Sequence, residues 1–260
     1  MAPTGQVIEV TGVATGLLRQ GKGKPVLFIH GANGVGAWLP FFENLSQNYD
    51  LLIPDHPGFG RSDDPSWIRS VPDIAFFYLD MLEQLDLRDV HLVGTSMGGW
   101  IASEMAIRND RRIASLTMVG PAGIRVKGEP FGDIFMWSPE EATRNIFLNQ
   151  EIADRLLSVK PTEEQLDVMM KNRFAVTKYG WQPRMYNPDL EKWLHRVKVP
   201  TFIGWGREDK IVPSSYAARW KQRIPHARVT VYDNCGHLPH IEASDALFAD
   251  VKTFIDGVAA

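Results

Sequence analysis

Short apolar runs recur along this chain with longer helical patterns between them, and that alternation admits few folds. Residues 26–29, 51–53, 90–93, 116–119 and 201–205 read as buried strands, ending in Gly, Pro or polar residues such as His30-Gly31, Pro54-Asp55 and Gly94-Thr95. Residues 71–87 and 98–109 have helical spacing, with Asp73 as a candidate cap for the first. Strands covered on both faces lose their polar alternation, and successive parallel strands need a crossover, usually a helix. The rhythm therefore predicts a mostly parallel sheet flanked by helices. Residues 6–10 and 13–19 read as a leading pair of strands, 228–232 as a further strand and 243–256 as a closing helix.

The rhythm breaks over residues 121–198. No apolar strand run is evident there, whereas 139–148, 151–157 and 162–172 have helical character and aromatic residues are dense, among them Phe131, Phe135, Trp137, Phe147, Phe174, Tyr179 and Trp181. The expectation is a helical insertion over a core made of residues 1–120 and 199–260. Its aromatics, with Met136, Met169, Met170 and Met185, suggest an adaptable apolar pocket, although ordinary packing is the better reading of any single ring. A net charge of −3 lacks the basic surplus of a nucleic-acid binder, so no nucleic-acid partner is expected. No run approaches a membrane span, and the N-terminal Met-Ala-Pro-Thr-Gly has no leader character, so no membrane association is expected. The single cysteine, Cys235, suits a reducing compartment, which together with the missing leader predicts a cytoplasmic protein.

The chemistry is concentrated at strand ends. Gly94-Thr95-Ser96-Met97-Gly98 fits Gly-x-Ser-x-Gly and lies between a predicted strand and a predicted helix. A sharp strand-to-helix turn exposes the middle hydroxyl and tolerates only small flanking residues. A serine hydroxyl needs a base, and the base needs an acid to orient it. Later strand ends supply both: Glu208 and Asp209 follow 201–205, and His237 follows 228–232. His240 lies within a register slip of His237, while His30 and His56 fall in other loops, and His226 reads as surface. Cys235 reads as an inert small residue. The Gly16–Gly23 stretch imitates a phosphate-binding loop, but Gly23 stands where Ser or Thr belongs. No His-Glu-x-x-His and no paired cysteines occur, so neither metal nor organic cofactor is expected.

With these pieces together, the chain resembles the α/β-hydrolase fold superfamily over nearly its whole length. His30-Gly31-Ala32-Asn33-Gly34 resembles that family's oxyanion loop, and Asp55-His56-Pro57-Gly58-Phe59-Gly60-Arg61-Ser62 resembles its Asp-x-Pro-Gly-x-Gly-x-Ser stretch. The resemblance implies an eight-stranded, mostly parallel sheet with residues 121–198 as a helical cap after the sixth strand. It implies Ser96 as nucleophile, His237 as base and Asp209, rather than Glu208, as acid. The backbone N–H groups of Met97 and Ala32 would form the oxyanion hole, with Asn33 an alternative to Ala32.

On this reading Ser96 attacks a carbonyl, His237 moves the proton, and water clears an acyl-enzyme. The serine disfavours relatives resembling haloalkane dehalogenases or epoxide hydrolases, which need Asp there. The expected substrates are small apolar carboxylic esters, making the chain a carboxylesterase. The runner-up is a carbon–carbon bond hydrolase of ring-cleavage products, which also has a helical cap and a Ser-Met-Gly-Gly elbow. That subfamily usually carries Asn before the nucleophile and an aromatic after the base, whereas this chain has Thr95 and Leu238. Arg173 is a candidate partner for a substrate carboxylate, although a solvated helix-end arginine is the commoner reading, and Trp38 and Trp100, beside the oxyanion loop and the elbow helix, read equally as substrate contacts or as core. Lactonase and cofactor-free perhydrolase activities use the same residues. A ligand receptor that keeps its triad, and a protein-interaction module on a dead fold, complete the alternatives.

Overall fold

The computed structural model describes residues 3–258; Met1 and Ala2 of the N-terminal stretch, and the last two residues of the 199–260 segment, lie outside them. Eight strands form one sheet: β1 (Gln6–Val10), β2 (Val13–Gln20), β3 (Pro25–Ile29), β4 (Asp50–Pro54), β5 (Val90–Thr95), β6 (Ile113–Val119), β7 (Thr201–Gly206) and β8 (Arg228–Tyr232). Their spatial order is β1-β2-β4-β3-β5-β6-β7-β8. β2 runs antiparallel to β1 and β4, and every other pairing is parallel. The doubly covered sheet explains the unbroken apolar runs. Leu27 and Ile29 face one core with Leu92, beneath α2 (Val71–Gln84), α3 (Met97–Arg108) and α8 (Tyr216–Arg223). Val26, Phe28 and Val93 face the other, beneath α1 (Pro40–Asn48), the short α9 (Pro239–Glu242) and α10 (Ser244–Asp256).

Helix α2 is capped by Ser70 rather than Asp73. Asp73 is the reciprocal member of a capping box: Ser70 Oγ accepts from its backbone N–H, and its carboxylate accepts from Ser70 N–H at 3.0 Å. Two short helices, α1 and α8, carry no long period and escape the sequence reading.

Between β6 and β7 lie α4 (Pro139–Ile146), α5 (Gln150–Ser158), α6 (Glu163–Gly180), α7 (Leu190–Trp193) and a 3₁₀ turn at Leu194–Arg196. Thr162 opens α6 with a second capping box, partnered by Gln165. The helix continues past the expected end at residue 172 because Ala175, Val176 and Tyr179 bury a stripe against the core and no breaker intervenes before Gly180. The aromatics of this segment divide: Phe147 and Tyr179 are buried, whereas Phe174 is 71% exposed, along with Met136, Met169 and Met170.

Candidate active site

Strand β5 turns into α3 at Ser96, whose φ of 53° and ψ of −117° place it in a region that L-residues rarely occupy. The turn is tight enough to require its glycines. A Cβ on Gly94 would lie 2.3 Å from Gly98 O, and one on Gly98 would lie 1.9 Å from Ile29 O. The strained geometry is held by Ser96 N–H donating to Val119 O and by Ser96 O accepting from Ala122 N–H.

Three buried side chains meet at this turn. His237 Nε2 stands 2.9 Å from Ser96 Oγ, and His237 Nδ1 stands 2.7 Å from Asp209 Oδ2. A carboxylate only accepts, so the neutral ring carries its proton on Nδ1 and presents a bare Nε2 to the hydroxyl. The other carboxylate oxygen of Asp209 accepts from the Ile211 and Val212 amides at 2.8 and 2.9 Å, which fixes the orientation of the acid. Gly120 follows β6 with φ +51°, and a Cβ there would approach Asp209 Oδ2 to 3.3 Å and His237 Nδ1 to 3.5 Å.

The competing residues are occupied elsewhere. Glu208 accepts from Cys235 N–H at 3.0 Å and so shapes the loop carrying His237. His240 is buried against Phe28, Phe41 and Phe42, where burial, and then the charge of His237, push its pKa down to about 3. His226 is exposed and donates to Val199 O. Cys235 is buried, and burial, with nearby carboxylates, pushes its thiol up to about 12. Trp100 is buried and donates to Glu104, while half-buried Trp38 donates to Glu43.

Gly31 packs against the turn, since a Cβ on it would lie 3.3 Å from Ser96 Cβ, and Ala32 follows it. Met97 opens α3, where backbone N–H groups have no intrahelical acceptor and favour negative charge. Asn33 is exposed, with its carbonyl taken by Asn172 Nδ2 at 3.0 Å.

Several supporting residues escape a reading of the sequence. Asn172 of α6 also accepts from Gly60 N–H at 2.9 Å, Lys171 donates to Gly60 O and Ser62 O, and Tyr179 donates to Pro57 O. The helix is thereby tied to the loops that follow β3 and β4. Glu242 accepts from Gly236 N–H and Asn149 N–H, linking the His237 loop to the inserted segment. Arg173 is exposed and donates to the carbonyls of Ile134 and Phe135. None of these residues carries a local motif. Among the described residues no group of three or more His, Cys, Asp or Glu is placed to hold a metal ion, and no helix is long and apolar enough to cross a membrane.

A buried hydroxyl facing an oriented imidazole, with backbone N–H groups at the head of a helix, is equipped for nucleophilic attack on a carbonyl and for holding the resulting oxyanion.

Residues 24–244 match the profile of the alpha/beta hydrolase fold family. The chain is similar to the 2-hydroxy-6-oxo-6-phenylhexa-2,4-dienoate hydrolase of Burkholderia cepacia, at 26% identity over 87% of this chain and 85% of that one. It is similar to the 2-hydroxy-6-oxononadienedioate/2-hydroxy-6-oxononatrienedioate hydrolase 2 of Pseudomonas putida, at 29% identity over 88% of this chain and 87% of that one. Its fold matches a meta-cleavage product hydrolase from Pseudomonas fluorescens IP01 with a TM-score of 0.79, at 23% identity over 98% of both chains. These similarities overturn the carboxylesterase expectation, because the two sequence relatives are hydrolases of 2-hydroxy-6-oxo dienoates. The elbow alone does not separate ester from carbon–carbon cleavage, since both begin with a nucleophile at a carbonyl. Thr95 and Leu238 depart from the usual pattern of the second reaction, yet overall similarity runs the other way.

Proposed function

The chain belongs to the alpha/beta hydrolase fold family, and on that premise we propose that it is a carbon–carbon bond hydrolase acting on a 2-hydroxy-6-oxo dienoate. The observation that carries this reading is similarity, over most of the chain, to relatives whose names specify that substrate type. The arrangement of Ser96, His237 and Asp209 supports it by supplying a nucleophile, a proton carrier and an orienting acid within 2.7 to 2.9 Å contacts.

In the proposed reaction Ser96 Oγ forms a bond to the ketone carbon C6 while its proton passes to His237 Nε2. The N–H groups of Met97 and Ala32 receive the oxyanion. The attack is on the 2,6-dioxo tautomer of the substrate, formed when the 2-hydroxyl proton moves to C5; the C5–C6 bond then breaks, its electron pair is delocalised through C3=C4 onto the 2-oxo oxygen, and the proton held by His237 neutralises that dienolate. Water, deprotonated by His237, cleaves the acyl-enzyme to a carboxylic acid and frees Ser96. Asp209 keeps the ring in the required tautomer throughout. Residues 121–198 act as the cap, and its Arg173 is the cation assigned to the substrate carboxylate. The lone buried Cys235 is compatible with a cytoplasmic setting.

The test is loss of the dienoate chromophore on adding the protein, measured beside p-nitrophenyl ester hydrolysis with Ser96→Ala as control. The reading requires dienoate turnover well above ester turnover, abolished by the substitution. Ester hydrolysis exceeding dienoate hydrolysis would reject it.

A further inference from the structure

Two buried histidines that the proposed reaction leaves unused lie against the loop after β3. The rings of His30 and His56 stack with centroids 3.5 Å apart and planes 23° from parallel. Their hydrogen bonds determine both tautomers. His56 N–H donates to His30 Nε2 at 3.1 Å, so Nε2 is bare and the proton of His30 sits on Nδ1, donating to Gly31 O at 2.7 Å. His56 Nε2 faces His30 O at 2.9 Å; a carbonyl only accepts, so this nitrogen carries the proton and Nδ1 is bare. The hydroxyl of Tyr78, on α2, lies 2.5 Å from that Nδ1 and donates to it. Burial holds the pKa of both rings below its ordinary value, in keeping with a neutral pair.

The relay ends on a particular peptide unit. Gly31 C=O and Ala32 N–H belong to one planar trans group, so holding the oxygen on one side aims the N–H to the other. We infer that Tyr78 and His56 are positioning residues that act through His30 to orient the Gly31–Ala32 peptide and thereby the Ala32 N–H toward an oxyanion on Ser96. Tyr78 ties the bare Nδ1 of His56 to α2; His56 anchors the peptide before Gly31; His30 anchors the peptide after it. This inference rests on the proposed assignment of Ser96 and Ala32.

The experiment measures the rate at which a fluorophosphonate labels Ser96, whose phosphoryl oxygen would occupy the oxyanion hole, together with kcat and KM on the dienoate. The variants are Tyr78→Phe, which removes one oxygen at nearly constant shape, His56→Gln, which keeps an N–H donor, and His56→Leu. Thermal unfolding establishes that each is folded. Tyr78→Phe is expected to lower both the labelling rate and kcat about 10-fold with KM within about twofold, less than the roughly 10²–10³ that outright loss of a donor costs. His56→Leu is expected to lose more, and His56→Gln to recover part of it. Folded Tyr78→Phe and His56→Leu proteins labelled at the unmodified rate would overturn the inference alone. Failure of the unmodified chain to be labelled at Ser96 would overturn the site assignment and the inference with it. Normal labelling without dienoate turnover would overturn only the substrate reading.

Discussion

Asp209 Oδ2 accepts from His237 Nδ1 at 2.7 Å while Asp209 Oδ1 is held by two backbone amides. The carboxylate is therefore oriented from behind by its own strand-end turn. Asp209→Asn would direct an amide N–H at His237 Nδ1 and favour the wrong tautomer, with an expected loss of about 10⁴ in kcat, the cost of that exchange in a Ser-His-Asp site. Glu208→Gln retains an oxygen for Cys235 N–H and should stay within about threefold of the unmodified rate. Steady-state kinetics on the dienoate distinguishes the neighbours; equal losses would reject the assignment of Asp209.

The positive φ of Ser96 has a cost in stability that can be separated from the loss of its hydroxyl. Ser96→Ala and Ser96→Gly both remove Oγ, but only glycine accepts φ 53° and ψ −117° without strain. The glycine variant is expected to be more stable than the alanine variant by about 1 kcal/mol, with both inactive. Urea unfolding of the pair measures the difference, and an alanine variant of equal or greater stability would contradict it.

Asn172 bridges Asn33 O and Gly60 N–H from the inserted segment. Asn172→Ala leaves a donor and an acceptor without this partner and should destabilise the fold by about 1–3 kcal/mol. It should also raise KM, since α6 loses a tie to the loops that follow β3 and β4. A variant with unaltered midpoint and KM would show that the bridge is dispensable.

His240 links stability to pH. Its folded pKa of about 3 lies below the ordinary 6.5, so the unfolded chain binds a proton that the native state refuses between these values. Its stabilising contribution is complete above about pH 6.5, falls as pH drops toward 3, and levels off below that, with a slope of at most about 1.4 kcal/mol per pH unit. His240→Phe, placed among Phe28, Phe41 and Phe42, should flatten stability against pH across that window, as read by denaturant titrations at pH 4.5 and 7.

Cys235 adjoins the His237 loop without being reactive. A buried thiol with its pKa raised to about 12 is almost wholly protonated at pH 8. Iodoacetamide should leave the native protein unmodified and add one group after denaturation, as resolved by intact mass. Rapid labelling of the native protein would contradict the burial.

Ser96, Asp209 and His237 could be read from the chain because each follows a strand whose apolar run is plain, in an order the resemblance supplies. The strands are recoverable within a residue or two, except that β6 begins three residues before the expected 116, since a doubly covered parallel sheet writes each central strand as a continuous apolar segment. The chemistry of the bond was not. Thr95 and Leu238 are two local departures, and they were outweighed by similarity spread along the chain. Tyr78, Asn172 and Glu242 lay beyond reach for a different reason. Tyr78 meets His56 across 22 residues, Asn172 meets Asn33 across 139, and Glu242 meets Asn149 across 93. Periodicity and capping boxes arise from forces acting within a few residues, so the sequence alone determined them. Which hydroxyl holds a histidine ring, and which asparagine ties a helix to a loop, is decided only when the folded sheet closes those separations to hydrogen-bond length.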